Sequence, residues 1–151
     1  MNYSRELINE IIVEIFREIL LMQEVAIKEK GIDLSITEIH TLEAIEKLKE
    51  KNKMSDVASE LNITASTLSI NINRLVRKGY VTKEQAKHDR RITHLILTPK
   101  AYDALKVHHS FHEDLIDSLM SDLKVHEDQV LIESLRNVLA HLRHIQEKPT
   151  K

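Results

Sequence analysis

The chain has 151 residues, a net charge of −2, no cysteine, 42% hydrophobic and only 3% aromatic residues. That length suits a single domain with an aliphatic core, and the missing cysteines exclude a disulfide framework or a thiolate metal site. Two glycines and two prolines are too few for the turns of a sandwich or barrel, so the fold class is mostly α.

In chain order, residues 4–30 read as a long helix. Leu7, Ile8, Ile11, Ile12, Ile15, Phe16, Ile19 and Leu20 recur at helical spacing as one broad apolar stripe, and Gly31 is a plausible stop. A stripe this wide on a terminal helix suits packing against another helix, often one of another subunit. SITEIHTLEAIEKL opens a second helix, with Ser35 and Glu38 at capping-box spacing. Ser55 then begins a short helix, SDVASEL. Asn62 and Ile63 turn the chain, and Thr64 is a good N-cap for ASTLSININRLVRKG, which Gly79 ends. In that helix Leu68, Ile72, Leu75 and Val76 are expected to face inward.

Short helix, tight turn and longer helix make a helix-turn-helix. YVTKE and ITHLILT, joined by the polar, basic QAKHDRR, read as a β-hairpin with a charged tip. Thr98 and Pro99 are an N-cap and first-turn proline for a helix to about residue 121, and a last helix spans roughly 126–146. The apolar stretches are interrupted by Glu and Arg, so no membrane span is expected. The N-terminus is charged and lacks a signal-peptide run, so a cytoplasmic location is expected.

The side of 65–78 opposite the core residues is expected to carry Ser66, Thr67, Ser69, Ile70, Asn71 and Arg74. Small hydroxyls, Asn and an outward Ile suit base edges, phosphates and a thymine methyl in a DNA major groove. The bland alternative is a simple solvated face. Arg74, Arg77, Lys78, Lys83, Lys87, Arg90 and Arg91 face only Glu84 and Asp89 as acids in this stretch, which concentrates positive charge in a chain that is acidic elsewhere.

SDVASELNITASTLSININRLVRKGYV and DRRITHLILT, with the flanking long helices, resemble the MarR family of bacterial transcriptional regulators over essentially the whole chain. The resemblance implies a single MarR-type domain over 1–151. It has a winged helix-turn-helix lobe at about 35–98, a small hairpin wing, and dimerisation helices at 4–30 and 99–147. It implies a homodimer that binds double-stranded DNA at a palindromic operator and represses transcription. Contacts would come from Thr64, Ser66, Thr67, Ser69, Ile70, Asn71, Arg74, Lys87, Arg90 and Arg91. Arg91 would enter the minor groove, with Asp89 bracing the wing arginines or serving as an ordinary turn residue.

His108 and His112, in VHHSFHEDL, stand at i, i+4 spacing and share a helical face, as two zinc ligands would. Glu24, His40, His108 and His112 match, residue by residue, the ligand pattern of zinc-dependent MarR repressors. Their second site is not matched, since Lys30, Ile39 and Val107 stand at about its places. A hydrogen-bonded polar cluster is the other reading of the same residues. SITEIHTLEAI, DRRITHLIL and HHSFHEDLI resemble more closely the FabT-like repressors of fatty-acid-synthesis genes. That resemblance implies a long acyl chain on acyl carrier protein as the signal, with zinc as the alternative effector.

An enzyme is not expected. His109 occupies the place where a zinc protease motif needs Glu after its first His, and no phosphate loop or nucleophile elbow is present. A helical adaptor would have no use for a basic wing.

Overall fold

The computed structural model describes residues 2–147. The elements are α1 (Asn2–Glu29), α2 (Ile36–Leu48), α3 (Met54–Glu60), α4 (Ala65–Arg77), β1 (Val81–Gln85), β2 (Thr93–Leu97), α5 (Pro99–Asp122) and α6 (Gln129–Glu147). Short 3-10 turns at Lys49–Lys51 and Val125–Glu127 follow α2 and α5. The chain divides into two compact units after Phe111, a boundary inside α5.

In the first unit, Leu42 and Ile45 of α2, Val57 of α3, and Leu68, Ile72 and Leu75 of α4 meet one another in an aliphatic core. Val81, Leu95 and Leu97 from the hairpin and Ala101, Ala104 and Leu105 from α5 complete it. Leu68, Ile72 and Leu75 are all 0% exposed, and truncating such a side chain to Ala costs about 2–5 kcal/mol. The core thus seats α4 firmly and leaves its other side to solvent.

The hairpin is antiparallel, with Val81 opposite Leu97 and Gln85 opposite Thr93. Both glycines end helices in left-handed geometry. Gly79 has φ +78°, and Tyr80 N–H returns to Leu75 C=O at 2.9 Å, a Schellman closure. Thr98 Oγ1 donates to Gly79 C=O at 2.8 Å, so the start of α5 is tied to the end of α4.

The capping box at α2 is present: Ser35 Oγ accepts from Glu38 N–H, and Glu38 Oε2 accepts from Ser35 N–H. Lys78, just past α4, donates to Glu38 Oε2 and to Asp33 C=O, each at 2.9 Å. Burial raises the Glu38 pKa, but the Ser35 N–H bond and the Lys78 ammonium together outweigh it and hold the carboxyl below its ordinary value.

Three local expectations are corrected. Helix α3 starts at Met54 with Lys53 as N-cap, not at Ser55. An isolated bridge from Lys53 to His94 holds Lys53 extended and fixes the start there. Val76 is 38% exposed rather than inward, because Leu68, Ile72 and Leu75 already define the buried stripe and Val76 lies about 100° round from Leu75. Asn71 is buried at 8% exposure rather than opposite the core. It stands three after Leu68 and four before Leu75, on the same helical face.

In α1, Ile27 and Gln23 are buried, whereas Leu7, Ile8, Ile11, Ile12, Ile15 and Phe16 are exposed. The second unit contains α6, capped by Asp128 Oδ1 accepting from Leu131 N–H at 2.9 Å. Its Val130, Leu135, Val138, Leu139, Leu142 and Ile145 are also exposed within one chain. No helix among the described residues is long and apolar enough to cross a membrane.

Glu38→Gln keeps the shape but removes the carboxylate from Lys78. At neutral pH it should lower stability by about 1–3 kcal/mol. A carboxyl with a lowered folded pKa stabilises above its unfolded pKa, and that gain is lost as pH falls through the folded pKa. The difference between wild type and variant in thermal unfolding should therefore shrink on acidification below the ordinary carboxylate range. A difference independent of pH would show that charge plays no part.

Candidate nucleic-acid interface

Helix α3, the turn at Asn62 and α4 form the helix-turn-helix. Asn62 takes the left-handed conformation at φ +52°, which Asn tolerates better than most residues. Thr64 caps α4, its Oγ1 accepting from Thr67 N–H at 3.2 Å and lying 2.9 Å from Thr67 Oγ1. Thr64 and Thr67 thus spend part of their hydrogen-bonding capacity on the cap.

Of the expected contact residues on α4, Ser66, Thr67, Ile70 and Arg74 are exposed and Ser69 is half-buried. Ile70, at 55% exposure, is an apolar side chain held out to solvent by the burial of Ile72 on the far side. Asn71 is buried on the core side of α4, at 8% exposure.

The outer stripe instead continues through Asn73 and Arg77, both exposed. Neither was singled out as a contact residue in the sequence, although Ser66, Ile70, Asn73 and Arg77 share a face by helical spacing. Asn73 Oδ1 accepts from Lys83 Nζ on β1 at 2.7 Å, which ties the base of the wing to α4.

The wing tip carries Lys87, Arg90 and Arg91, all exposed. Asp89 Oδ1 accepts from Arg91 N–H at 2.9 Å and lies 3.6 Å from Arg91 Nε. Its backbone carbonyl also accepts from Ile92 N–H at 3.0 Å. The Arg91 side chain remains 94% exposed. Asp89 therefore organises the backbone of the tip and leaves the guanidinium reachable.

The residues expected for an effector lie elsewhere. Glu24 on α1 is exposed and pairs with Lys28 at 3.7 Å. His40 on α2 and His108 on α5 come together, ring centroids 5.5 Å apart in an edge arrangement. His108 Nε2 lies 3.7 Å from Glu43 Oε2, and the neighbouring pair His109 Nε2–Glu46 Oε2 is at 3.4 Å. Among the described residues, His40, Glu43 and His108 can offer ligand atoms all within 4.8 Å of one another. The carboxylate in this group is Glu43, three residues after His40 on the same helix, rather than Glu24. His112 belongs to the second unit, where it is half-buried.

Residues 31–101 match the family model of a winged helix DNA-binding domain. A sequence search of curated proteins found no match. Among solved structures, the chain is similar to Streptococcus pneumoniae FabT in complex with DNA. That likeness has 31% identity and a TM-score of 0.82 and covers 95% of this chain and 99% of the other. Staphylococcus aureus MarR in complex with salicylate and kanamycin shares the fold at 20% identity and a TM-score of 0.77, with 98% and 95% covered. A Staphylococcus aureus MepR–DNA complex does so at 20% identity and a TM-score of 0.69, with 89% and 98% covered.

An exposed arginine at a wing tip acts on DNA chiefly through charge. Arg91→Ala should weaken binding to duplex DNA and reduce the slope of log affinity against log salt by about 1. Binding that keeps both its affinity and its slope would remove Arg91 from the interface. Through the exposed face of α4, the basic wing and a likeness to FabT that spans nearly the whole chain, the protein belongs to the MarR/FabT family and is a DNA-binding transcriptional regulator rather than an enzyme.

Proposed function

We propose that the protein represses transcription as a homodimer on a palindromic operator, and that a long acyl chain on acyl carrier protein is its signal. The observation that carries this reading is the likeness to FabT, at 31% identity over 95% of the chain. The resemblance of SITEIHTLEAI and HHSFHEDLI to FabT-like repressors of fatty-acid synthesis supports the same signal.

The uncovered apolar stripes support a dimer. Phe16 on α1 is 67% exposed, and Leu142 on α6 is 55% exposed, each within a stripe of similar residues. Contiguous apolar surface of this kind favours a partner. A two-fold dimer also presents two copies of α4 to two half-sites, which raises affinity and specificity together. Part of the α1 stripe is suited to line a tunnel for an acyl chain.

Sedimentation at micromolar concentration should give a species of twice the 17.5 kDa chain mass. Operator affinity should change about fivefold or more when long-chain acyl carrier protein is added, but not with the unacylated carrier. A monomer would sink the dimer reading, and an affinity indifferent to the acyl chain would sink the signal.

A second reading rests on His40, Glu43 and His108. Two imidazoles and a carboxylate fit a divalent zinc ion with a fourth position open. The proposed ion would join α2 of the DNA-reading lobe to α5 and so offer a route to metal-responsive repression. Protein purified without a histidine tag should then retain near-stoichiometric zinc. Loss of an outer partner alone weakens metal sites by about 10–100-fold, so Glu43→Gln should weaken zinc at least that much. Glu24→Gln should leave it unchanged. The reverse ranking would restore the expected Glu24 set, and no zinc binding in the wild type would end the metal reading.

A further inference from the structure

The wing must reach DNA in a fixed position, yet a two-stranded hairpin alone is at best marginally stable in water. Its free edge is therefore informative. In the register of β1 and β2, Leu95 stands opposite Lys83. Leu95 N–H bonds not to β1 but to Asn52 C=O, at 3.0 Å. Leu95 C=O accepts from Asn52 Nδ2 at 2.8 Å. Both polar groups of this residue, itself 0% exposed, are thus met by one residue in the connection between α2 and α3.

Asn52 makes a further contact. Its Oδ1 lies 2.8 Å from His94 Nδ1, and an amide oxygen can only accept, so Nδ1 carries the proton and donates. The adjacent Lys53 forms a backbone bridge with His94. One asparagine therefore does for β2 what a third strand would do. Its main chain takes the N–H, and its side chain takes the carbonyl and the neighbouring ring.

We propose that Asn52 and His94 are positioning residues for DNA recognition. They hold the hairpin at the angle that delivers Arg90 and Arg91 to DNA, without touching DNA themselves. Asn is required at 52 because the site needs a donor and an acceptor from one short side chain. Asp would keep the acceptor but set a carboxylate oxygen against the Leu95 carbonyl. His94→Leu would leave Asn52 Oδ1 without the ring donor while sparing the Leu95 bonds.

The test uses the full-length protein and a duplex enriched by the wild type from a randomised library. Asn52→Ala and Asn52→Asp should each weaken binding by about tenfold and lower the salt slope by about 1, as loss of a wing contact does. His94→Leu should give a smaller loss of the same kind. Each substitution is then repeated with Arg91→Ala. If Asn52 acts through the wing arginines, its substitution costs little more once Arg91 is gone. An equal loss in both backgrounds would overturn the proposal, since general destabilisation is indifferent to Arg91. Wild-type affinity and slope in Asn52→Ala would overturn it too. If Asn52→Ala does not fold, His94→Leu and its double variant decide the matter by the same criterion.

Discussion

The structure of the DNA-reading lobe depends on the commitment of a buried carboxylate. Glu38 closes the capping box of α2 and receives Lys78 from the end of α4. A carboxylate out of water is costly unless its charge and lone pairs are met. Here a backbone N–H and an ammonium meet them, and the cost becomes a constraint on where α4 can end. Lys100 extends the same junction, donating to Lys78 C=O at 2.8 Å and lying 4.2 Å from the Tyr80 ring centre. The starts of α2 and α5 are thus both referenced to the end of α4.

A core of aliphatic side chains supplies most of the stabilisation, but it is non-directional. Leu68, Ile72 and Leu75 bury α4 without by themselves fixing its rotation or its end point. The directional bonds at Lys78, Gly79 and Thr98 do that, and Asn73–Lys83 and Asn52–Leu95 carry the alignment outward to the hairpin. Packing provides affinity between elements, and a small number of hydrogen bonds provides their register.

Much of this was legible in the chain because its signals are local. Ser35 and Glu38 lie three residues apart, Gly79 follows the last turn of α4, and Thr98-Pro99 opens α5. Asn71 as a residue type suits an outer face, but its position decides, since 68, 71, 72 and 75 is the pattern of a buried helical face. Asn73 carries no signal in its residue type, and only its spacing from Ser66, Ile70 and Arg77 places it on the exposed stripe. The pairing of His108 with Glu43 joins residues on different helices, and the Asn52–Leu95 clamp spans 43 positions. Nothing local announces such contacts. The resemblance to a zinc ligand pattern points to Glu24, whereas the carboxylate within 4.8 Å of both His40 and His108 is that of Glu43, three residues along α2 from His40.

The Lys78–Glu38 pair also bears on how the regulator moves through a genome. A basic residue neutralised by an internal carboxylate adds little to the loose, sequence-blind attraction that any cation has for phosphate. That attraction sets how long a protein lingers at wrong sites, of which a chromosome offers millions for every right one. Lys78, held by Glu38 and Asp33, adds little to it, while Arg74, Arg77, Lys87, Arg90 and Arg91 stay exposed on the outer stripe of α4 and the wing tip. The bond that holds the lobe together thus also withdraws one cation from sequence-blind attraction.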